Sequence, residues 1–159
     1  MRGVFVRGRT TKNPRDTERL GRAFAAACTP GLVVLCVGTL GSGKTTFLKG
    51  VARGLGVAEP IVSPTFVLHK RYPVRNHAIR ALNHLDAYRL SSADELRGLL
   101  DEEIASAPKE VWFIEWGEKL LGALPPRSVQ LRFTILGPTA RRIQFVSPRR
   151  ALRRGGRSA

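Results

Sequence analysis

The chain has 159 residues, a length that suits one domain, and its 43% of hydrophobic residues is enough for a core. No run of about 18 apolar residues occurs, and Met1-Arg2-Gly3-Val4 does not open an apolar leader, so the expectation is a cytoplasmic protein without a membrane span. The net charge of +15 sits at the ends: residues 1–15 carry five basic residues and no acid, residues 141–159 carry seven arginines and no acid, and the body between is close to neutral.

Val4 to Val6 reads as a short first strand. A helix follows, opened by Asn13-Pro14 or by Asp16, with Leu20, Ala23, Phe24 and Ala27 spaced as one apolar face. Thr29-Pro30-Gly31 stops it, and Leu32 to Val37 is an apolar run of the kind that forms a buried strand. Cys28 and Cys36 are not spaced as a redox or zinc pair and read as reduced core thiols.

The apolar run leads into Gly38-Thr39-Leu40-Gly41-Ser42-Gly43-Lys44-Thr45, the pattern G-x-x-x-x-G-K-T, and Thr46, Phe47, Leu48 and Val51 continue it as a helix. Strand, glycine loop and helix in that order form a phosphate-binding P-loop. Glycines let successive backbone N–H groups converge on an anion, and the helix N-terminus adds its positive dipole end. Lys44 supplies a charge for the β- and γ-phosphates and the Thr45 hydroxyl an oxygen for Mg²⁺. The loop indicates a nucleotide and leaves the reaction open, because ATPases, GTPases and small-molecule kinases share this cradle.

Beyond the helix end at Gly54-Leu55-Gly56, Ser63-Pro64-Thr65-Phe66 reads as a rigid loop and Val67-Leu68-His69 as an extended segment. Ala81 to Asp86 is strand-like and ends on an acid. Ser92-Ala93-Asp94-Glu95 is a capping box opening a helix with Leu96, Leu99, Leu100 and Ile104 on one face. Val111 to Glu115 is a buried strand that also ends on an acid. Val129 to Leu136 and Arg142 to Val146 read as an antiparallel hairpin about Gly137-Pro138. The alternation predicts an α/β, P-loop NTPase-like three-layer fold: a mainly parallel sheet with helices on both faces, a C-terminal antiparallel hairpin, and the site at the carboxyl ends of the strands. Residues 1–147 form the single domain and 148–159 a basic tail with no apolar period.

Magnesium at a P-loop needs a protein oxygen besides Thr45, and an acid ending a neighbouring strand is the usual source. Asp86 and Glu115 both qualify, and Tyr88, Arg89 and Trp116 beside them suggest a lined cleft. His84 reads as a packed or hydrogen-bonded core histidine in preference to a catalytic base.

Four blocks occur together in this order: Gly38 to Thr46, Ser63-Pro64-Thr65-Phe66, His84-Leu85-Asp86-Ala87-Tyr88-Arg89-Leu90 and Ile114-Glu115-Trp116. With them the chain resembles, from about residue 14 to 146, the TsaE (formerly YjeE) family of P-loop ATPases in bacterial tRNA threonylcarbamoyladenosine biosynthesis. The resemblance implies binding of ATP and Mg²⁺ and slow hydrolysis that partners stimulate. It implies docking on TsaB and TsaD, where TsaD modifies the adenosine next to the tRNA anticodon and the ATPase resets the complex. It makes Thr65 part of a switch I-like loop, places Asp86 at the switch II or Walker B position, and makes Glu115 a magnesium ligand together with Thr45. It adds Thr17, in the first helix, as a residue near the nucleotide. The ATP-binding set is then Thr17, Gly38, Leu40, Gly41, Ser42, Gly43, Lys44, Thr45 and Thr46, and the catalytic set Lys44, Thr65, Asp86 and Glu115. Thr39 and Ser42 stand where the family often has Asp and Ala, and the arginine tail is outside the family pattern.

Two other readings remain open. A small-molecule kinase needs a second substrate pocket and an arginine-bearing lid, and residues 93–110 make only a short acidic helix. A basic RNA-binding module would leave Lys44-Thr45 without a purpose, and no aromatic residue interleaves with the arginines of residues 149–157. A GTPase would carry an Asn-Lys-x-Asp motif, which the chain lacks. Contact of tRNA with the arginine tail is left open.

Overall fold

The computed structural model describes residues 8–62, 68–75, 78–89, 93–116 and 128–146, with the backbone alone at Arg89, Ala93, Glu95, Leu96, Arg97 and Leu99. Among these residues seven strands form one sheet: β1 (Arg9–Thr11), β2 (Val33–Val37), β3 (His69–Pro73), β4 (Ala81–Asp86), β5 (Glu110–Glu115), β6 (Ser128–Ile135) and β7 (Arg141–Val146). Their order across the sheet is β1-β7-β6-β2-β5-β4-β3. The inner strands β6, β2, β5 and β4 run parallel. The outer strands β1, β7 and β3 are antiparallel to their neighbours. The apolar run of β2 therefore lies at the centre, covered on both faces, with Val33, Val34 and Leu35 at 0% exposure.

Alternation along the strands sorts their side chains between two layers of helix. Helices α1 (Pro14–Ala25) and α2 (Lys44–Leu55) pack on one face with Val34, Cys36, Phe113 and Phe133. Helix α3 (Ala93–Ser106) packs on the other, where Leu100 and Ile104 meet Val33, Leu35, Trp112 and Ile114. The three-layer architecture is the one the sequence predicts. Edge contacts between rings tie the α1–α2 layer to the sheet: Phe24 lies 5.5 Å from Phe47 and 6.3 Å from Phe113, and Phe47 5.5 Å from Phe133.

Helix α1 starts at the first of its two candidate caps. Asn13 Oδ1 accepts the Asp16 N–H at 2.9 Å and Pro14 occupies the first turn. Of its expected inner face, Phe24 is buried and Leu20 and Ala27 pack against the core, Ala27 just beyond the helix end, while Ala23 is exposed and Thr17, Gly21 and Ala25 are buried besides. The cause is the approach of α2. A Cβ on Gly21 would lie 2.1 Å from Phe47 O, and one on Gly50 1.9 Å from Glu18 O. The two helices meet backbone to backbone at glycine, so Gly21 is buried along with the apolar positions.

The hairpin of β6 and β7 is present, closed by Leu136 N–H on Ala140 O at 3.0 Å, and β6 also pairs parallel with β2. Strand β1 was not predicted, and of the extended segment expected at Val67 to His69 only His69 lies in a strand, which it opens and which runs to Pro73. The strand expected at Val4 to Val6, residue Ser92 of the capping box, Val67 and the tail lie outside the described residues. Cys28 and Cys36 are buried and not joined in a disulfide, and burial pushes the Cys28 thiol up to about 12, so it stays protonated at neutral pH.

Candidate active site

The phosphate loop leaves β2 at the sheet centre and enters α2 through Gly43, whose φ of +97° is a left-handed conformation suited to glycine. No side chain caps α2 at Gly43 and no acid lies in its first turn, so the first N–H groups of the helix are open to an anion. Lys44 is 95% buried and folds back over the loop, donating to Gly38 O at 2.8 Å and Thr39 O at 3.1 Å. Its ammonium also sits 4.3 Å from the centre of the Trp116 ring.

Parallel pairing of β4, β5 and β2 brings the two strand-end acids to the same edge, Asp86 opposite Glu115 and Glu115 opposite Cys36. Glu115 is almost wholly buried, and its Oε1 accepts the Thr45 hydroxyl at 2.7 Å and hydrogen-bonds His84 Nε2 at 3.0 Å. Burial pushes the Glu115 pKa up, but His84, the Thr45 hydroxyl and Lys44 outweigh it and hold the carboxyl below its ordinary range. His84, at 0% exposure, is thus a hydrogen-bonded core histidine. Its Nδ1 has no partner among the described residues. Asp86 Oδ1 accepts the Tyr88 N–H at 3.0 Å, which turns the chain sharply after β4.

Trp116 follows β5 with φ of +61°, an uncommon conformation for a bulky residue that costs on the order of 1–3 kcal/mol. It brings the Trp116 ring over Lys44 and within 4.9 Å of Tyr88. The result is a cleft of about 410 Å³ lined by the loop from Leu40 to Thr46 and by Asp86, Tyr88, Glu115 and Trp116. This joins most of the expected site residues in one place: Leu40, Gly41, Ser42, Gly43, Lys44, Thr45, Thr46, Asp86 and Glu115 all line it.

Gly38 and Thr17 are not on the cleft wall. A Cβ on Gly38 would lie 2.5 Å from Phe133 O, so its glycine serves the passage of the loop past β6. Thr17 is buried behind the loop, its hydroxyl 2.8 Å from that of Thr11 and its methyl 3.7 Å from the position of a Gly43 Cβ. Thr65 lies outside the described residues, and Arg89 is described by its backbone alone.

The residues present fit a magnesium–triphosphate. The helix start is uncapped, the Lys44 ammonium rests on carbonyls it can exchange for phosphate, and Thr45 and Glu115 bring a hydroxyl and an anionic oxygen together. Among the described residues no group of three His, Cys, Asp or Glu could hold a metal by itself, so remaining oxygens would come from the nucleotide and water.

One residue of the site was missed. Arg141, counted in the sequence among the arginines of the basic end, reaches from β7 to donate to Gly41 O of the loop through Nε at 3.2 Å and Nη2 at 3.0 Å. Its only sequence signal was its place at the end of the hairpin turn.

The family model described as "Threonylcarbamoyl adenosine biosynthesis protein TsaE" matches residues 11–143. The protein of Bacillus subtilis (strain 168) named tRNA threonylcarbamoyladenosine biosynthesis protein TsaE is 36% identical over 86% of this chain and 83% of its own length. The Treponema pallidum protein of that name is 36% identical over 84% of this chain and 95% of its own, and the Mycobacterium bovis one 39% identical over 82% of each. The crystal structure of Bacillus subtilis YdiB superposes with a TM-score of 0.69 at 30% identity, covering 94% of this chain and 95% of that one. With the family model covering most of the sheet and the whole phosphate loop, the chain belongs to the TsaE family.

Proposed function

We propose that the chain is the ATPase subunit of the machinery that makes threonylcarbamoyladenosine next to the tRNA anticodon. It binds ATP with Mg²⁺, docks on TsaB and TsaD, and resets them by hydrolysis. The pathway is supported by the family and by the names of the relatives. The chemistry is carried by one observation: the Thr45 hydroxyl and the Glu115 carboxylate share a hydrogen bond at an uncapped helix start beside Lys44.

The loop amides bind the β- and γ-phosphates, and Lys44 leaves Gly38 O and Thr39 O to neutralise them. Thr45 and Glu115 would hold magnesium, which when bound would supply positive charge to offset that developing on the phosphoryl oxygens. Glu115 is committed to Thr45 and His84, which favours Asp86 as the carboxylate that orients the attacking water. Thr17 supports Gly43 from behind the loop, and Thr65 senses the γ-phosphate and moves when it leaves. tRNA is served indirectly, through TsaB and TsaD. Such a subunit works in the cytoplasm; among the described residues no helix is long and apolar enough to cross a membrane.

Phosphate release from ATP and GTP is measured with the protein alone, with TsaB plus TsaD, and with RNA alone. The expected result is slow ATP turnover, stimulated only by the TsaB–TsaD pair and abolished in Lys44→Ala. Wild-type turnover in Lys44→Ala would overturn the site. Transfer to a small acceptor would instead support a kinase, and salt-sensitive RNA binding without turnover a nucleic-acid module.

A further inference from the structure

We infer that Arg141 is a positioning residue that holds the phosphate loop ready for a nucleotide, an inference that rests on the nucleotide-binding reading above. Its guanidinium reaches two loops at once. Nε and Nη2 donate to Gly41 O, while Nη1 donates to Gly137 O and Ala140 O, both at 2.8 Å, with Pro138 O at 3.5 Å. The Arg141 stem lies 3.6 Å from the position of a Gly43 Cβ, against the start of α2. Its backbone is fixed in the sheet, opposite Thr11 of β1 and Ile135 of β6. The side chain therefore projects from a rigid strand onto the loop.

The consequence for the loop follows from peptide geometry. The Gly41–Ser42 peptide is trans and planar, so holding Gly41 O towards Arg141 fixes the Ser42 N–H in the opposite direction. That N–H closes a turn on Thr39 O at 3.2 Å, the same oxygen that receives Lys44. One guanidinium thus sets the peptide plane on which the turn depends, and the turn shares its acceptor oxygen with the resting lysine. Gly41 has φ of +73° and, among the described residues, nothing within 4 Å of a Cβ position. A planar fork with five N–H groups can hold both loops together, and a lysine ammonium cannot do so with the same geometry.

The test uses Arg141→Gln and Arg141→Lys in the full chain, with melting temperature recorded as a check that each folds. Amide hydrogen exchange is measured first without nucleotide. Both variants are expected to exchange faster over residues 39–46 while β2 and the last turns of α2 stay protected. Calorimetric Kd values for MgATP and MgADP are expected to rise by the same factor, about tenfold, the equivalent of roughly one lost hydrogen bond. Unchanged exchange in the loop overturns the inference, as does an unchanged Kd. Full affinity in Arg141→Lys overturns it in favour of charge alone. A loss confined to ATP overturns it in favour of direct contact with the γ-phosphate. If the wild type binds neither nucleotide, the proposed function fails, and the exchange measurement still decides whether Arg141 holds the loop.

Discussion

Glu115 occupies the position where burial and chemistry conflict most directly. Desolvation disfavours its charge, and Thr45, His84 and Lys44 restore it. Glu115→Gln keeps an oxygen for Thr45 and His84 but removes the charge. It is expected to fold with a melting temperature close to that of the wild type and to need about tenfold more magnesium for half-maximal turnover. A magnesium titration of ATPase activity decides this: turnover lost at every magnesium concentration with ATP binding intact would give Glu115 a water-orienting role instead. Much of this site was legible in the sequence, because a glycine loop after an apolar strand and an acid at the end of another carry their own local signals. Arg141 was not legible, since its contact with Gly41 spans 100 positions of chain and its residue type was lost among neighbouring arginines. His84 was legible as a core residue, but its pairing with Glu115 came only from the register of β4 against β5.

Helices α1 and α2 behave as one element, because their axes approach to backbone contact at Gly21, Gly50 and Gly54. Gly50→Ala would place a methyl 1.9 Å from Glu18 O, which is backbone and cannot rotate away. The helices must separate, and we expect a loss of about 3 kcal/mol, the upper end of overpacking costs. Urea unfolding measures it, and a loss under about 0.5 kcal/mol, the range of an ordinary surface substitution, would contradict the close crossing. The helix ends were legible from Asn13-Pro14 and Gly56, whose side chains and φ values act locally. The inner face of α1 was not, because hydrophobic periodicity rewards Ala23 and gives no weight to a glycine that is buried for lack of a side chain. Strand β1 escaped for a related reason: it is a short edge strand defined by a distant partner, β7.

Across the whole molecule, the parallel centre and the hairpin were legible because strands and helices alternate with few interruptions, while the strand order depended on pairings no local pattern encodes. On the α3 face the sheet also carries an acid inside it. Glu110 accepts Arg71 Nε at 3.0 and 3.2 Å on its two oxygens, further donation from Arg71 Nη2, and Asn83 Nδ2 at 2.7 Å. Burial pushes the Glu110 pKa up, but Arg71 and Asn83 outweigh it and the carboxyl lies below its ordinary value. A depressed folded value means this ion contributes stability above the unfolded carboxylate pKa of about 4.3 and loses it as pH falls through the folded one. The urea midpoint is therefore expected to be level from about pH 7 to 5 and to drop below about pH 4.3, and Glu110→Gln should drop less steeply. An identical acid slope in the variant would show that Glu110 does not titrate with folding.

The pairing of β1 with β7 has a further effect, electrical in kind. Arg9 lies opposite Ile143 and Thr11 opposite Arg141, so the chain enters and leaves the sheet at one edge. Arg9 of β1 and Arg141 and Arg142 of β7 share that edge, although the sequence holds them near its opposite ends. Beyond contact range, and within a screening length of about 10 Å at 0.1 M salt, these three guanidinium groups add positive potential on the β1–β7 edge, next to the strand from which Arg141 reaches the phosphate loop.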